Sequence, residues 1–388
     1  MTKVAWLMFR LVIALAIACA APLAHAQEDG GTVVLRRGEP APAYPPVAVD
    51  TRGVHVGIAG EPATLVRTIS WDRVRRVDGP LAAQAAAYSE LAATVWRAQA
   101  RLERGDAVAA EPLFERAAEM LTGDGSGADE RAAEDLVGPT HALVHAGLVR
   151  CRLGRGALAA AVLPWLDVRA AVLAGAVEEL PDAIDPVTAL VPGLPPIFAR
   201  TPAVRALAVM DTRRSWPAEV SSLAMLYSTA AALAAGEAAV WTEPAELGPG
   251  TILVRDCVAA QAREPEVRAA ARERLVERLE SGAAKPWVRA WCHAAIGRSL
   301  ARESDREQRR RGVVHLLTVP AEYRFIQPYL AGTCLADAAT ALDALGEREG
   351  ARLLALELAR EHSQHPALGA LDPALRAPPS IDQQEPPA

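Results

Sequence analysis

Lysine is nearly missing from this chain: only Lys3 and Lys285 occur among 388 residues, against 39 arginines. The 41 basic residues face 47 acidic ones, giving a net charge of −6 with no polybasic block. A surface built to track nucleic-acid phosphates is thereby excluded. Aromatics are scarce at 4% of residues, so aliphatic side chains and the 83 alanines must fill the interior. Alanine favours helix, which makes the expected fold class mainly α. Five cysteines occur without a CxxC, excluding a thioredoxin-like redox site and a structural zinc knuckle. GxSxG, GxGxxG, P-loop and HExxH patterns are all missing, and no catalytic residue, cofactor or metal is assigned.

What is present begins with a leader. Residues 1–26 carry Lys3 and Arg10, an apolar stretch over 11–23, and Ala24-His25-Ala26, the pattern of a signal peptide cleaved after Ala26. The competing reading is lipoprotein processing at Cys19, which would leave a lipid anchor. The apolar stretch is shorter than the ~20 residues that span a bilayer, so no transmembrane segment is expected in the mature chain. An exported protein, periplasmic or extracellular, follows. Loss of Lys3 and Arg10 takes the net charge to −8 and leaves Cys151, Cys257, Cys292 and Cys334, which either pair as disulfides or stay as buried thiols.

Residues 27–79 have period two and predict a small β module. Short β-branched runs lie at 32–36, 47–50, 54–58 and 64–71. Val54, Val56 and Ile58 would face a core closed by Ile69 and Trp71, with His55 and Gly57 on the other side. Residues 69–74 end the last strand and turn into a helix. Over 80–180 the period becomes helical: Tyr88, Leu91, Val95, Ala98 and Leu102 form one stripe, and Ala110, Leu113, Phe114, Ala117 and Leu121 a second. Gly105-Asp106 separates them, and two amphipathic helices so joined must pack as an antiparallel hairpin. The pattern then recurs at an offset of 51: Arg101-Leu102-Glu103-Arg104-Gly105, Ala110 and Phe114 match Arg152-Leu153-Gly154-Arg155-Gly156, Ala161 and Trp165. The unit resembles a tetratricopeptide repeat, with Gly105 at the turn and Ala98, Ala110, Phe114 and Ala117 at its small and aromatic positions.

Further copies resembling the same repeat run from 287 to 320, with Gly297 at the small site and Pro320 near the end, and from about 327 to 361, with Leu345-Gly346-Glu347 as the turn and Ala351, Ala355 and Leu358 following. Six prolines over 181–204 exclude continuous helix and mark a crossover. A second helical region spans 205–368. Within it, residues 218–240 hold only Glu219 and Glu237 as charges and predict a buried helix; 264–280 predict a charged helix with Val267, Ala270, Ala271 and Leu275 inward. Residues 369–388 are Pro-rich and polar, the composition of a disordered tail.

The resemblance implies an antiparallel helical-hairpin solenoid whose groove binds a protein or peptide, lined by Arg97, Arg101, His145 and Arg152. His141 and His145 stand at the i, i+4 spacing that can offer two imidazoles to a metal, with Glu134 or Asp135 as conceivable third ligands; groove-lining histidines are the plainer reading. Cys292 and His293 are helix neighbours that diverge, His362 and His365 suit a helix end, and Arg73, Arg75, Arg76, Arg306 and 309–311 read as solvated faces. Two other functions stay open: a helical envelope hydrolase acting on polysaccharide through carboxylates such as Glu90, Asp106 or Glu111, and a lipid-tethered subunit of an envelope assembly.

Overall fold

Alternating β-branched and polar residues carry the chain into strands before its alanine-rich helices begin. The computed structural model describes residues 31–39, 45–57, 66–122, 138–176, 183–210 and 216–376. The leader, Cys19, Ile58, the acidic linker with Glu134 and Asp135, and residues 377–388 lie outside them. The strands are β1 (Thr32–Leu35), β2 (Pro46–Asp50), β3 (Gly53–Gly57), β4 (Val66–Ile69) and β5 (Val74–Asp78). β1 pairs antiparallel with β5, and β2, β3 and β4 form a second antiparallel sheet. The chain does not enter a helix after Val74 as expected. Residues Val74–Asp78 instead make β5, with Val74 and Val77 in the core beside Val33, Val54, Val56 and Ile69 and the β1–β5 register shifting between Val34 and Leu35.

Trp71 is 1% exposed; its indole Nε1 donates to the Asp50 carbonyl at 2.9 Å and its ring stacks on Tyr88 at 5.1 Å. It therefore fastens the sheets to the helices. Val144, Leu148 and Cys151 from a later helix complete this first core.

Fourteen helices follow among the described residues. The first five are α1 (Ala82–Ala86), α2 (Ser89–Glu103), α3 (Ala107–Thr122), α4 (Pro139–Gly154) and α5 (Leu158–Leu173). A second group comprises α6 (Pro202–Ala208), α7 (Ala218–Ala235), α8 (Pro249–Ala259), α9 (Pro265–Glu280) and α10 (Pro286–Ala301). The last are α11 (Arg306–Tyr323), α12 (Pro328–Ala344), α13 (Arg348–Glu361) and the short α14 (Pro373–Arg376). Neighbours pack in pairs: α2 with α3, α4 with α5, α10 with α11, and α12 with α13. α2 also touches α4, and α10 touches α12.

The turns within three pairs share one chemistry. Gly105, Gly156 and Gly346 have φ of +80°, +70° and +81°, where a side chain would be strained. The next N–H reaches five residues back to the helix end: Asp106 to Arg101, Ala157 to Arg152 and Glu347 to Leu342, at 2.8–3.0 Å. Phe114 and Trp165, at the repeat offset of 51, are both wholly buried. Gly147 on α4 lets the Phe114 ring approach so closely that an added Cβ would meet its atoms at 2.4–2.6 Å. Gly297 and Gly312 similarly let α10 and α11 cross nearly backbone to backbone.

The proline-rich crossover runs through the interior. Ile184, Leu190, Val191, Leu194, Ile197 and Phe198 are buried in the largest core, among α5, α7, α8, α10 and α12. Prolines remove N–H donors from such a segment but leave its carbonyls needing partners. Side chains supply them. Tyr227 donates to Leu194 O at 2.6 Å, Gln261 to Pro196 O at 3.1 Å, and Arg298 to Phe198 O at 2.9 Å. Trp291 and Gln327 share Pro192 O at 3.2 and 2.8 Å, and Arg169 reaches Thr188 O at 3.3 Å.

Several local expectations change. Pro320 stands in the last turn of α11, which runs to Tyr323. On α9 the inward residues are Ala271, Leu275 and Arg268, while Ala270 is exposed, because Arg268 turns in to cap Ala262 O and Arg263 O. Leu371 and Leu375 pack with α12 and α13, so residues 371–376 belong to the folded body and not to a tail. The four described cysteines are all free and buried. α7 is the one described helix long and apolar enough to cross a membrane, and Val220, Leu223, Tyr227 and Ala231 bury it against α5, α6 and α8.

Two substitutions test this packing by urea denaturation. Tyr227→Phe strands the Leu194 carbonyl and should cost about 1–3 kcal/mol. Gly147→Ala should cost about 1–3 kcal/mol by overpacking against Phe114, and the loss should shrink in a Phe114→Leu background.

Candidate functional site

α2, α4 and the turns after them position the four residues assigned to a groove. Arg97 is exposed on α2 and bends back to its own helix, donating to Ala93 O at 3.2 Å. Arg101 lies 3.5 Å from Asp106, whose other oxygen caps α3 by accepting from Ala109 N at 3.1 Å. Arg152 is committed in all directions: Nε to Glu111 at 3.2 Å, one terminal nitrogen to Glu115 at 3.0 Å and the other to Ala160 O at 2.8 Å. It ties α3, α4 and α5 together instead of standing free for a ligand. Arg97 and Arg101 are left as the accessible members.

His145 contacts Asp167 at 3.4 Å, and Asp167 also accepts from the Trp216 indole at 3.1 Å. The His141 and His145 rings lie 4.1 Å apart, so the i, i+4 spacing does place them on one face. No group of three or more metal-ligating side chains occurs among the described residues. His141 is largely buried, which lowers its pKa to about 4.

The carboxylates of the hydrolase alternative are each held by arginine. Glu90 pairs with Arg116, Asp106 with Arg101, and buried Glu111 with Arg152 and Arg155. Cys292 is no nucleophile for His293, since burial pushes its thiol up to about 12 while His293 turns to His315, Nδ1 to Nδ1 at 3.1 Å. Of the arginines read as solvated faces, Arg73 pairs with Glu39, Arg76 with Asp78, Arg310 with Glu347 and Arg311 with Glu307.

Two arrangements escaped the sequence reading. Across β3 and β4, His55 Nδ1 lies 3.0 Å from the Thr68 hydroxyl and Nε2 2.9 Å from Asp50. Burial raises the Asp50 carboxyl, but His55 and Arg52 outweigh it and hold the group well below the ordinary range. His55 and Thr68 are register partners, which accounts for the set as a buried polar network of the sheet. The second is an open groove of about 640 Å³. α10 forms its floor with Ile296 and Leu300, and α9 and α11 form walls bearing Val276, Glu273, Glu277, Arg311 and Val314. Val314 is 66% exposed there, an apolar side chain with no internal packing role.

Comparison with family models, with curated proteins and with solved structures finds no match to the chain.

Buried histidines give a pH prediction. Burial lowers His141, His293 and His365 each to about 4, from the 6.5 of a free imidazole. His365 is also locked as a neutral tautomer, with Nδ1 accepting from Ala367 N at 3.1 Å and Nε2 facing Tyr329 O at 2.9 Å. Between pH 6.5 and 4 the unfolded chain binds protons that the native one refuses, so stability is full above that window and falls through it. Thermal melts should show Tm dropping from pH 7 to pH 4.5, with a shallower slope for His365→Gln even if its Tm at pH 7 is lower.

Proposed function

We propose that this chain is an exported, non-enzymatic scaffold in which a small β module precedes antiparallel helical hairpins stacked as a solenoid, and that it captures a protein or peptide. The observation that carries the reading is the repetition itself. Three of the four helix pairs close on left-handed glycines, the first two bury an aromatic at equivalent places, and α2 touches α4 as α10 touches α12. Stacking of this kind gives an extended surface on which an elongated partner gains many small contacts. Two features suit such a partner: the accessible Arg97 and Arg101 on α2, and the groove over α10 with its apolar floor and charged walls. The leader assigns the working compartment to the envelope or beyond, with a lipid anchor at Cys19 as the tethered variant of the same role.

The test is crosslinking and affinity recovery of the tagged full chain from its native envelope fraction, with mass spectrometry of bait and prey. Wild-type protein should recover a reproducible partner, and Arg97→Glu/Arg101→Glu or Val314→Glu should reduce that recovery at least tenfold without lowering Tm. Recovery of the bait alone, or of a partner indifferent to both variants, would overturn the reading. The bait's own N-terminal peptide distinguishes a chain starting at Gln27 from one acylated at Cys19.

A further inference from the structure

Where the end of the crossover meets the last turns of α7, α10 and α12, the surface opens into a pocket of about 310 Å³. Its walls are mostly alanine, with Phe198, Leu371 and the side chain of Thr340. Three arginines, Arg200, Arg298 and Arg302, line this space with a single acidic residue, Asp337. Arg298 is saturated: its Nε holds Asp337 at 2.5 Å, and its terminal nitrogens donate to Gln261 Oε1 at 3.2 Å and Phe198 O at 2.9 Å. One Asp337 oxygen is thereby engaged.

Arg302 gives one terminal nitrogen to Gln261 O. Among the described residues no carboxylate pairs with Arg302 or with Arg200, and both are exposed to solvent at the mouth. Burial of part of the side chain and the positive charge of Arg298 lower the Arg302 pKa, with Asp337 opposing them. Internal partners account for all three Arg298 nitrogens and for one bond of Arg302. They leave Arg200 and the remaining fork of Arg302 unexplained. Guanidinium forks with unused N–H groups suit a carboxylate or phosphate oxyanion.

We propose that this pocket binds a small molecule through one oxyanion, carboxylate or phosphate, held by Arg200 and Arg302 at the mouth, with a short apolar body against the alanine walls. The site shares no lining residue with the α10 groove and includes neither Arg97 nor Arg101, so it adds a second ligand to the scaffold. A bound anion would join the crossover to α10, α12 and the C-terminal segment, all of which contribute to its walls.

The test uses the full chain with three probes: inorganic phosphate, hexanoate, and neutral hexanamide as the matched control. Thermal melts and calorimetric titration should show a saturable rise in Tm with phosphate or hexanoate and none with hexanamide. Arg302→Met and Arg200→Met should each weaken that binding at least tenfold while leaving the ligand-free Tm within a few degrees, and either variant alone suffices if the other fails to fold. Absence of saturable binding by both anions would overturn the proposal. So would binding that survives both substitutions, or equal binding of hexanamide. Binding that appears only after residues 377–388 are removed would assign the pocket to the chain's own acidic end, with Asp382 and Glu385, and would equally overturn it.

Discussion

The carbonyls of one buried, irregular segment constrain most of this molecule. A chain without regular structure cannot satisfy its own backbone, and in a dry interior each orphaned carbonyl is costly. The crossover from Asp185 to Ala199 meets that constraint in two ways. Its prolines delete donors that would otherwise need partners, and its carbonyls take bonds from Arg169, Tyr227, Gln261, Trp291, Arg298 and Gln327. Those donors come from α5, α7, α10 and the ends of α8 and α12, so the polar network also fixes where five helices sit around the segment. Asp185 anchors its start, accepting from Val187 N and Thr188 N and pairing with Lys285, the only described lysine.

Arginine does the corresponding work elsewhere. With lysine almost absent, nearly every cationic contact is a guanidinium, whose five donors can serve a carboxylate and a carbonyl together. Arg152 does so between three elements and Arg298 between four. The same habit makes arginine a poor marker of function in this chain, since an arginine on a helix face is more often a strut than a ligand contact. Distinguishing the two requires asking which donors are already used. That question separates Arg152 from Arg97 and Arg101, and Arg298 from Arg200 and Arg302.

Much of the local structure was legible in residue order. Period two gave strands β1 to β4, period 3.6 gave α2 to α5 and α12 with α13, and Gly105, Gly156 and Gly346 marked left-handed turns because only glycine adopts them without strain. Strand β5 was missed because two arginines sit at its exposed positions and only Val74 and Val77 carry the pattern. Ala270 was placed inward because periodicity cannot foresee an arginine such as Arg268 folding in to cap carbonyls. Gly147 passed unnoticed because its necessity lies in the Phe114 ring of another helix. The groove over α10 and the arginine pocket likewise draw residues from segments far apart in sequence, and no spacing rule joins them.

The sequence by itself determined the helical class, the hairpin units and the excess of alanine that lets helices approach closely, because these follow from side-chain volume, periodicity and backbone freedom within short windows. Only the tertiary structure decided that the proline-rich crossover is interior, that the four cysteines are buried thiols, and which arginines remain uncommitted. Burial and hydrogen-bond saturation are properties of the space around a residue, and that space is made by segments a hundred or more positions away, as when Gln327 reaches Pro192.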